Sequence, residues 1–241
     1  PAGRSAAHRK EDERQMMDVE AMDVDAEARA IGRSVGQRSM PAGEAHTVAL
    51  QRTYDAPVEE VWDALTDPQR IVRWFLPITG DLRLGGTYQL EGNAGGKILR
   101  CEPPHSLLVT WAMGEDTGAS QVEVRLSPAG EGKTLLRLDH AAVVPPEMWA
   151  EYGPGAVGVG WDLGLLGLGL HLLDPSATKP EGAESSPEVR QFILRSSAAW
   201  GAALAVTGAD RAQVEKAVAN TTAFYAPDPE ADPAQPAGAS T

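Results

Sequence analysis

The chain has 241 residues, 34 acidic and 21 basic side chains and a formal net charge of −13, and its length indicates one or two domains. The basic residues are dispersed, whereas binding nucleic-acid phosphate or anionic lipid requires clustered Lys or Arg, so the composition argues against nucleic acid as the main partner. The lone cysteine, Cys101, excludes a disulfide framework and a multi-cysteine zinc site. Because no signal-peptide pattern opens the sequence, we expect a cytoplasmic protein.

The two ends of the chain lack the pattern of a folded domain. Residues 1–45 have no apolar periodicity, and too few apolar side chains to offset the entropy of ordering, which predicts a disordered leader with at most a short, unstable helix near 16–30. Met40, followed by a Pro-Ala-Gly echo of the opening residues, is a candidate second start. The Pro- and Asp-rich segment 226–241 predicts a disordered tail.

A strand and two short helices are predicted next. Alternating apolar residues from Thr47 to Tyr54 indicate a strand. Pro57 opens a helix whose apolar residues recur at helical spacing as far as Leu65. The pair Asp67-Pro68 caps and begins a second helix, which carries Trp74 and Phe75.

The period of the apolar pattern then changes to two. Short alternating segments at 87–91, 107–111, 122–126 and 134–141 are separated by Gly- and Pro-rich turns, which predicts an antiparallel sheet with one wet face. A Gly-rich apolar helix follows at about 159–173. The whole apolar stretch 156–173 is about 18 residues long and contains Asp162, His171 and five glycines. A bilayer span needs roughly 20 mostly apolar residues, so we interpret the stretch as a buried helix and expect no membrane span.

Three glycines of that helix lie along one side. Gly160, Gly164 and Gly167 stand at i, i+4 and i+7, and each costs about 1 kcal/mol relative to alanine in a helix interior. Close packing of the helix on the sheet would offset that cost; space left for a ligand is the alternative.

A linker at 174–187 then leads to two further helices, capped by Ser186 and Asp210, that are too small to fold alone.

Several motifs occur in order along the chain: YDAPVEEVWDALTDP (54–68), RWF (73–75), GGTY (85–88), EPPHSLLVTW (102–111), LDH (138–140) and GW (160–161). Together they resemble the SRPBCC superfamily (START and Bet v 1-like proteins), in particular the branch similar to the C-terminal domain of the heat-shock-protein-90 ATPase activator. The resemblance covers about Thr47 to Leu173. It implies an α+β helix-grip fold, in which a curved antiparallel sheet wraps a long C-terminal helix and encloses an apolar cavity. The predicted organisation is therefore a helix-grip domain at 46–175 and packed C-terminal helices at 176–225.

The candidate site follows from that implied cavity and from the large aromatic residues on separate elements. Trp and Tyr together suit recognition of a flat apolar ligand, although ordinary core packing is the preferred explanation for each of them taken singly. Segment 147–152, between Pro and Gly pairs, is predicted to form a lid over the cavity mouth. The predicted ligand-binding residues are Trp74, Phe75, Tyr88, Trp111, His140, Trp149, Trp161 and Leu165.

His140 is the most informative polar candidate. Counting by two along its strand places it on the apolar face of Leu136 and Leu138, while Asp139 faces the other way and cannot form a dyad with it. His140 is either an acid–base or hydrogen-bonding group for a ligand, or a core histidine satisfied by a hydroxyl or backbone partner. The sequence does not decide whether His171 faces the cavity or the solvent. Cys101 is expected to be a small buried hydrophobe.

The sequence contains no zinc-protease, P-loop or serine-hydrolase motif, and the glycines at 158–164 are out of register with the dinucleotide fingerprint. The leading hypothesis is therefore a binder of a small hydrophobic molecule, without cofactor, metal or assigned catalytic residue. Two alternatives stay open. One is an interaction protein or co-chaperone of the activator type, whose protein partner the sequence does not identify; the other is an enzyme like the polyketide cyclases and aromatases.

Overall fold

The computed structural model describes residues 22–115, 118–176 and 186–227. The helices in these ranges are α1 (Val24–Arg29), α2 (Val58–Thr66), α3 (Pro68–Trp74), α4 (Pro146–Tyr152), α5 (Gly155–Leu173), α6 (Pro187–Val206) and α7 (Arg211–Tyr225). The strands are β1 (Gly32–Met40), β2 (Gly43–Tyr54), β3 (Ile78–Gly80), β4 (Thr87–Leu90), β5 (Gly95–Glu102), β6 (Ser106–Thr110), β7 (Ser120–Pro128) and β8 (Thr134–Ala142).

These strands form one open antiparallel sheet in the order β1-β2-β8-β7-β6-β5-β4-β3. Helices α2 and α3 carry the chain from β2 to the far edge of the sheet, where β3 begins. The sheet then runs back strand by strand to β8, and β8 pairs with β2 from His46↔Ala142 to Tyr54↔Thr134. The long helix α5 follows the sheet. This arrangement confirms the predicted α+β helix-grip fold.

The predicted caps and strand parity are present in the structure. Asp67 accepts a hydrogen bond from the Gln69 amide, with Pro68 in the first helical turn. Ser186 caps α6 and Asp210 caps α7 in the same way. On β8 the residues of the inner face are buried as the alternation requires.

The N-terminal boundary differs from the sequence-based expectation. Residues 24–45, predicted to belong to a disordered leader, contribute α1, all of β1 and the start of β2. The sequence lacked a signal because β1 is an edge strand without apolar alternation. Hydrogen bonds to β2 from Gly32↔Gln51 to Met40↔Gly43 and the Arg33–Asp162 ion pair hold this strand. A start at Met40 would remove this strand. The leader at 1–21, the linker at 177–185 and the tail at 228–241 lie outside the described residues.

Helix α5 is the centre of the molecule. By length and composition, Gly155–Leu173 is the one helix in the described ranges that qualifies as a membrane span. In the fold, however, it packs against β2, α3, α6 and α7, and both of its polar side chains, Asp162 and His171, are fully buried. Those contacts are expected of the core helix of a helix-grip domain, as the sequence predicted.

Asp162 joins four separate elements. Its Oδ2 atom accepts hydrogen bonds from Arg33 Nε at 2.8 Å, from Trp200 Nε1 at 3.0 Å and from the Ser196 hydroxyl. Arg33 in turn donates to the backbone oxygens of Ala28 and Ile31. Burial raises the pKa of Asp162, and the Arg33 charge and the three donors oppose that rise. The network therefore links α1, β1 and α6 to α5 through one carboxyl group.

We predict that Arg33→Met lowers the free energy of unfolding by about 3–5 kcal/mol, because it leaves a buried carboxylate without its partner. Urea unfolding measures the change. Asp162→Asn in the same background should recover part of the loss, since a neutral amide is less costly to bury. The matched control is Arg195→Met, which breaks an exposed ion pair with Asp25 and should cost less than about 1 kcal/mol. Equal losses for the two arginine variants would contradict the assigned role of Arg33.

Candidate ligand-binding site

A cavity of about 180 Å³ lies between the inner face of the sheet and helices α2, α3 and α5. Leu, Ile, Val and aromatic side chains form almost all of its lining. Leu82, in the loop between β3 and β4, is the exposed member of the lining, with 38% of its surface accessible. It marks the side on which the cavity meets solvent.

Six of the eight predicted ligand-binding residues line this cavity: Trp74, Phe75, Tyr88, Trp111, Trp161 and Leu165. Three of them direct their polar groups into the protein. The Tyr88 hydroxyl donates to the Thr110 carbonyl at 2.7 Å, and the Trp74 indole donates to the Ala64 carbonyl at 3.0 Å. The Trp161 indole donates to a ring nitrogen of His140 at 2.9 Å. With these groups already bonded, the rings offer the cavity mainly apolar surface.

The other two predicted residues, His140 and Trp149, line a second cavity of about 60 Å³. Trp149 lies in α4, and its ring stacks on His46 with the centroids 3.7 Å apart. The predicted lid segment is therefore a helix that covers the smaller cavity, not the mouth of the main one. Residue parity along a strand predicts which face a side chain occupies, but not its position along the length of the sheet, and this explains the difference for His140.

The hydrogen bonds of His140 define its protonation state. Its Nδ1 atom accepts from Trp161, and its Nε2 atom lies 2.8 Å from the Ser120 hydroxyl. Since an indole N–H can only donate, Nδ1 is unprotonated, and the neutral ring carries its proton on Nε2 and donates it to Ser120. Burial lowers the pKa of His140 to about 4, and the charge of Arg38 acts in the same direction.

The hydrogen bond from His140 to Ser120 runs in the opposite direction to the one that activates a serine nucleophile. A histidine acting as base for a serine must accept the hydroxyl proton on Nε2, whereas here Nε2 is the donor. The geometry therefore argues against the acid–base role for His140, whose two ring nitrogens are satisfied by a hydroxyl and an indole.

His171 and Cys101 occupy different environments. His171 is fully buried but outside both cavities, and its Nε2 atom lies 3.4 Å from a guanidinium nitrogen of Arg70. Burial lowers the pKa of His171, and the charges of Arg70 and Arg73 lower it further. Cys101 is half-buried and lines the main cavity.

The three glycines predicted to share one side of α5 have different neighbours. A Cβ atom at Gly160 would lie 3.1 Å from the Tyr225 hydroxyl, and one at Gly167 would lie 2.9 Å from the Trp74 carbonyl oxygen. These two permit close packing on helices α7 and α3, not on the sheet as expected. Gly164 borders the main cavity, where its nearest neighbour would be Phe75 at 3.9 Å.

Sequence reasoning missed the aliphatic lining. Ile78, Leu107, Val124 and Leu168 all border the main cavity, yet in the sequence they are indistinguishable from ordinary core residues. The inward parity of β6 and β7 was the available signal for Leu107 and Val124.

The family model for activator of Hsp90 ATPase homolog 1-like protein matches residues 55–168. The crystal structure of CalU16 from Micromonospora echinospora is 42% identical, with a TM-score of 0.57, and the match covers 75% of this chain and 99% of CalU16. The solution structure of CalU16 gives 41% identity, a TM-score of 0.58 and coverages of 73% and 96%. EF2215 from Enterococcus faecalis, a conserved protein of unknown function, shares the fold at 17% identity, with a TM-score of 0.52 and coverages of 78% and 96%. No curated protein sequence matches the chain.

The environment of His140 predicts an acid-sensitive fold. The pKa of His140 is about 4 when folded and about 6.5 when unfolded, so between these values the unfolded chain binds a proton that the folded chain does not, and stability falls as the pH falls. We expect this residue to account for a loss of about 2–3 kcal/mol between pH 7.5 and 4.5, measured by urea unfolding.

The control is His140→Asn, which does not titrate and retains an acceptor for the Trp161 indole. Its stability should depend less on pH over this interval, by the same 2–3 kcal/mol. Parallel pH profiles for the two proteins would rule out His140 as the source.

Proposed function

The chain belongs to the activator of Hsp90 ATPase homolog 1-like family, and from this premise we propose that it binds a small apolar molecule in the cavity beneath α5. The observation that carries the proposal is the cavity of about 180 Å³ with its almost wholly apolar lining. One lining residue, Leu82, is exposed to solvent. An apolar cavity of roughly 150 Å³ is large enough to hold benzene. The volume therefore suits a ligand of one or two fused rings.

Aromatic rings on one side of the cavity support a flat ligand. Trp111 lies 4.8 Å from Trp161 and 6.3 Å from Tyr88, measured between ring centroids, with the rings tilted to each other. Tilted and offset arrangements are those that aromatic rings prefer. A planar guest can extend this cluster, and release of water from apolar surface on both partners would drive its binding.

Gly164 supplies a direct test of the site. A side chain at this position would project into the cavity without meeting backbone, since Phe75 is its nearest neighbour. We predict that Gly164→Leu weakens binding of indole or naphthalene more than tenfold, because the new side chain occupies the ligand's space. The fold should remain at least as stable, since leaving glycine in a helix interior gains up to about 1 kcal/mol. Isothermal titration calorimetry and thermal unfolding measure the two effects.

Gly164→Ala is the matched control, because it gains helix propensity while adding a single methyl group, and it should retain most of the binding. The thiol of Cys101 gives an independent readout: a ligand in the cavity should slow its reaction with a thiol reagent in the native protein, and not in Gly164→Leu. Unchanged affinity in Gly164→Leu would place the ligand elsewhere, and failure of every apolar ligand to bind the native protein would refute the proposal.

The description of the family supports a second candidate, an interaction with the Hsp90 chaperone. Measuring Hsp90 ATPase activity with the native chain and with Gly164→Leu separates the two functions. Equal stimulation by both proteins would assign that activity to a surface other than the cavity, and no stimulation would remove the candidate.

A further inference from the structure

The main cavity and the smaller one are lined by aromatic side chains that contact each other: Trp111 and Trp161 on one side, His140 on the other. Trp161 lines the main cavity, His140 lines the smaller one, and the indole–imidazole hydrogen bond of 2.9 Å joins them. The cavities reach solvent at different places. The main one has its exposed lining at Leu82, whereas the smaller one has Met148 and Val157, which are 50% and 39% exposed. The Trp161–His140 pair is thus a partition inside the domain.

We propose that the two cavities are compartments of one ligand site, that Trp161 is the gate between them, and that His140 binds the hydroxyl group of a ligand too long for the main cavity alone. This inference rests on the proposed function and adds the chemical class of the ligand: an elongated apolar molecule that ends in an alcohol or phenol.

The hydroxyl requirement follows from what Trp161 leaves behind when it moves. Displacing its indole exposes the Nδ1 lone pair of a neutral imidazole among apolar side chains, including Val48, Ala142 and Ala156. A buried acceptor without a donor costs free energy, so a purely hydrocarbon ligand gains less from the second compartment than a ligand with an O–H group. A hydroxyl restores the hydrogen bond that the indole gave up.

A carboxylate does not fit the same position. His140 is neutral, and the lining of the smaller cavity contains no Lys or Arg. Burial also lowers the pKa of His46, the other histidine of the lining, and Arg38, whose charge acts on His140, is not part of the lining. A carboxylate would lose its hydration without an opposite charge in contact with it, which is strongly unfavourable. The partition therefore selects for a neutral donor.

Three biphenyls of similar shape test the inference: 4-phenylphenol, 4-methylbiphenyl and biphenyl-4-carboxylate. Calorimetry should show the native protein binding the phenol about fivefold more tightly than the methyl compound, the usual net effect of one neutral hydrogen bond, and the carboxylate more weakly than both. In Trp161→Phe, which frees Nδ1 and opens the partition, affinity for the phenol should rise about tenfold, and affinity for the methyl compound should stay within about threefold.

Trp111→Phe is the matched control. It makes the same change of side chain in the same cavity, on a ring that contacts both Trp161 and His140, but leaves the Trp161–His140 bond intact. The ratio of phenol to methyl affinity should therefore equal that of the native protein. A readout that needs no variant is the NMR signal of the Trp161 indole N–H. It should move upfield when 4-phenylphenol binds, as its hydrogen bond is lost, and should keep its downfield position when benzene binds.

Several outcomes overturn the inference. Equal affinity for phenol and methyl compounds in both the native protein and Trp161→Phe would do so, as would preference for the carboxylate or an unmoved indole signal in the phenol complex. If benzene, indole or naphthalene still binds in those cases, the proposed function survives. If no apolar ligand binds, the proposed function fails together with the gate.

Discussion

The backbone of α5 must approach other helices closely, and the rest of the structure depends on this constraint. A Cβ atom at Gly158 would lie 2.3 Å from the Trp200 ring, and one at Gly155 would lie 2.6 Å from Thr221. These glycines allow α6 and α7 to dock on one side of α5, and Gly167 allows α3 to approach on another. At Gly164 a Cβ atom would have no neighbour closer than Phe75 at 3.9 Å, so here the missing side chain leaves free space. The same residue type thus accounts both for the tight helical layer and for the cavity beneath it.

Two adjacent side chains on α5 determine how the helix is rotated. Trp161 bonds to His140 on the central strand β8, while Asp162 bonds to Arg33 on the edge strand β1 and to Ser196 and Trp200 on α6. Neighbouring helical residues point about 100° apart, so these bonds can be made together only within a narrow range of rotation. A buried polar group without partners is costly, and the two sets of bonds therefore keep α5 in the orientation that directs Gly164 and Leu165 into the cavity.

Local patterns in the sequence predicted much of this fold. Strand parity placed His140 on the inner face, and cap residues such as Ser186 marked the helix starts, because both signals depend on near neighbours. The edge strand β1 was missed since its one aliphatic side chain, Val35, gives no alternation, and its stability comes from pairing with β2 and from the Arg33–Asp162 bond. The Arg33–Asp162 bond joins residues 129 positions apart, a separation over which no sequence spacing carries information. The division into two cavities was equally hidden, because it depends on how far along the sheet each inward residue lies.

The chemistry available inside the domain depends on the orientation of one histidine. Catalysis by His140 would require a free ring nitrogen next to a substrate, yet one nitrogen is covered by the Trp161 indole and the other donates to Ser120. The low pKa of His140 reflects the same burial and keeps the ring neutral near pH 7. The interior that the structure describes thus combines apolar walls with a neutral imidazole whose two nitrogens are both bonded. For the ligand site proposed above, selectivity depends on which ligand groups can replace an indole as hydrogen-bond donor.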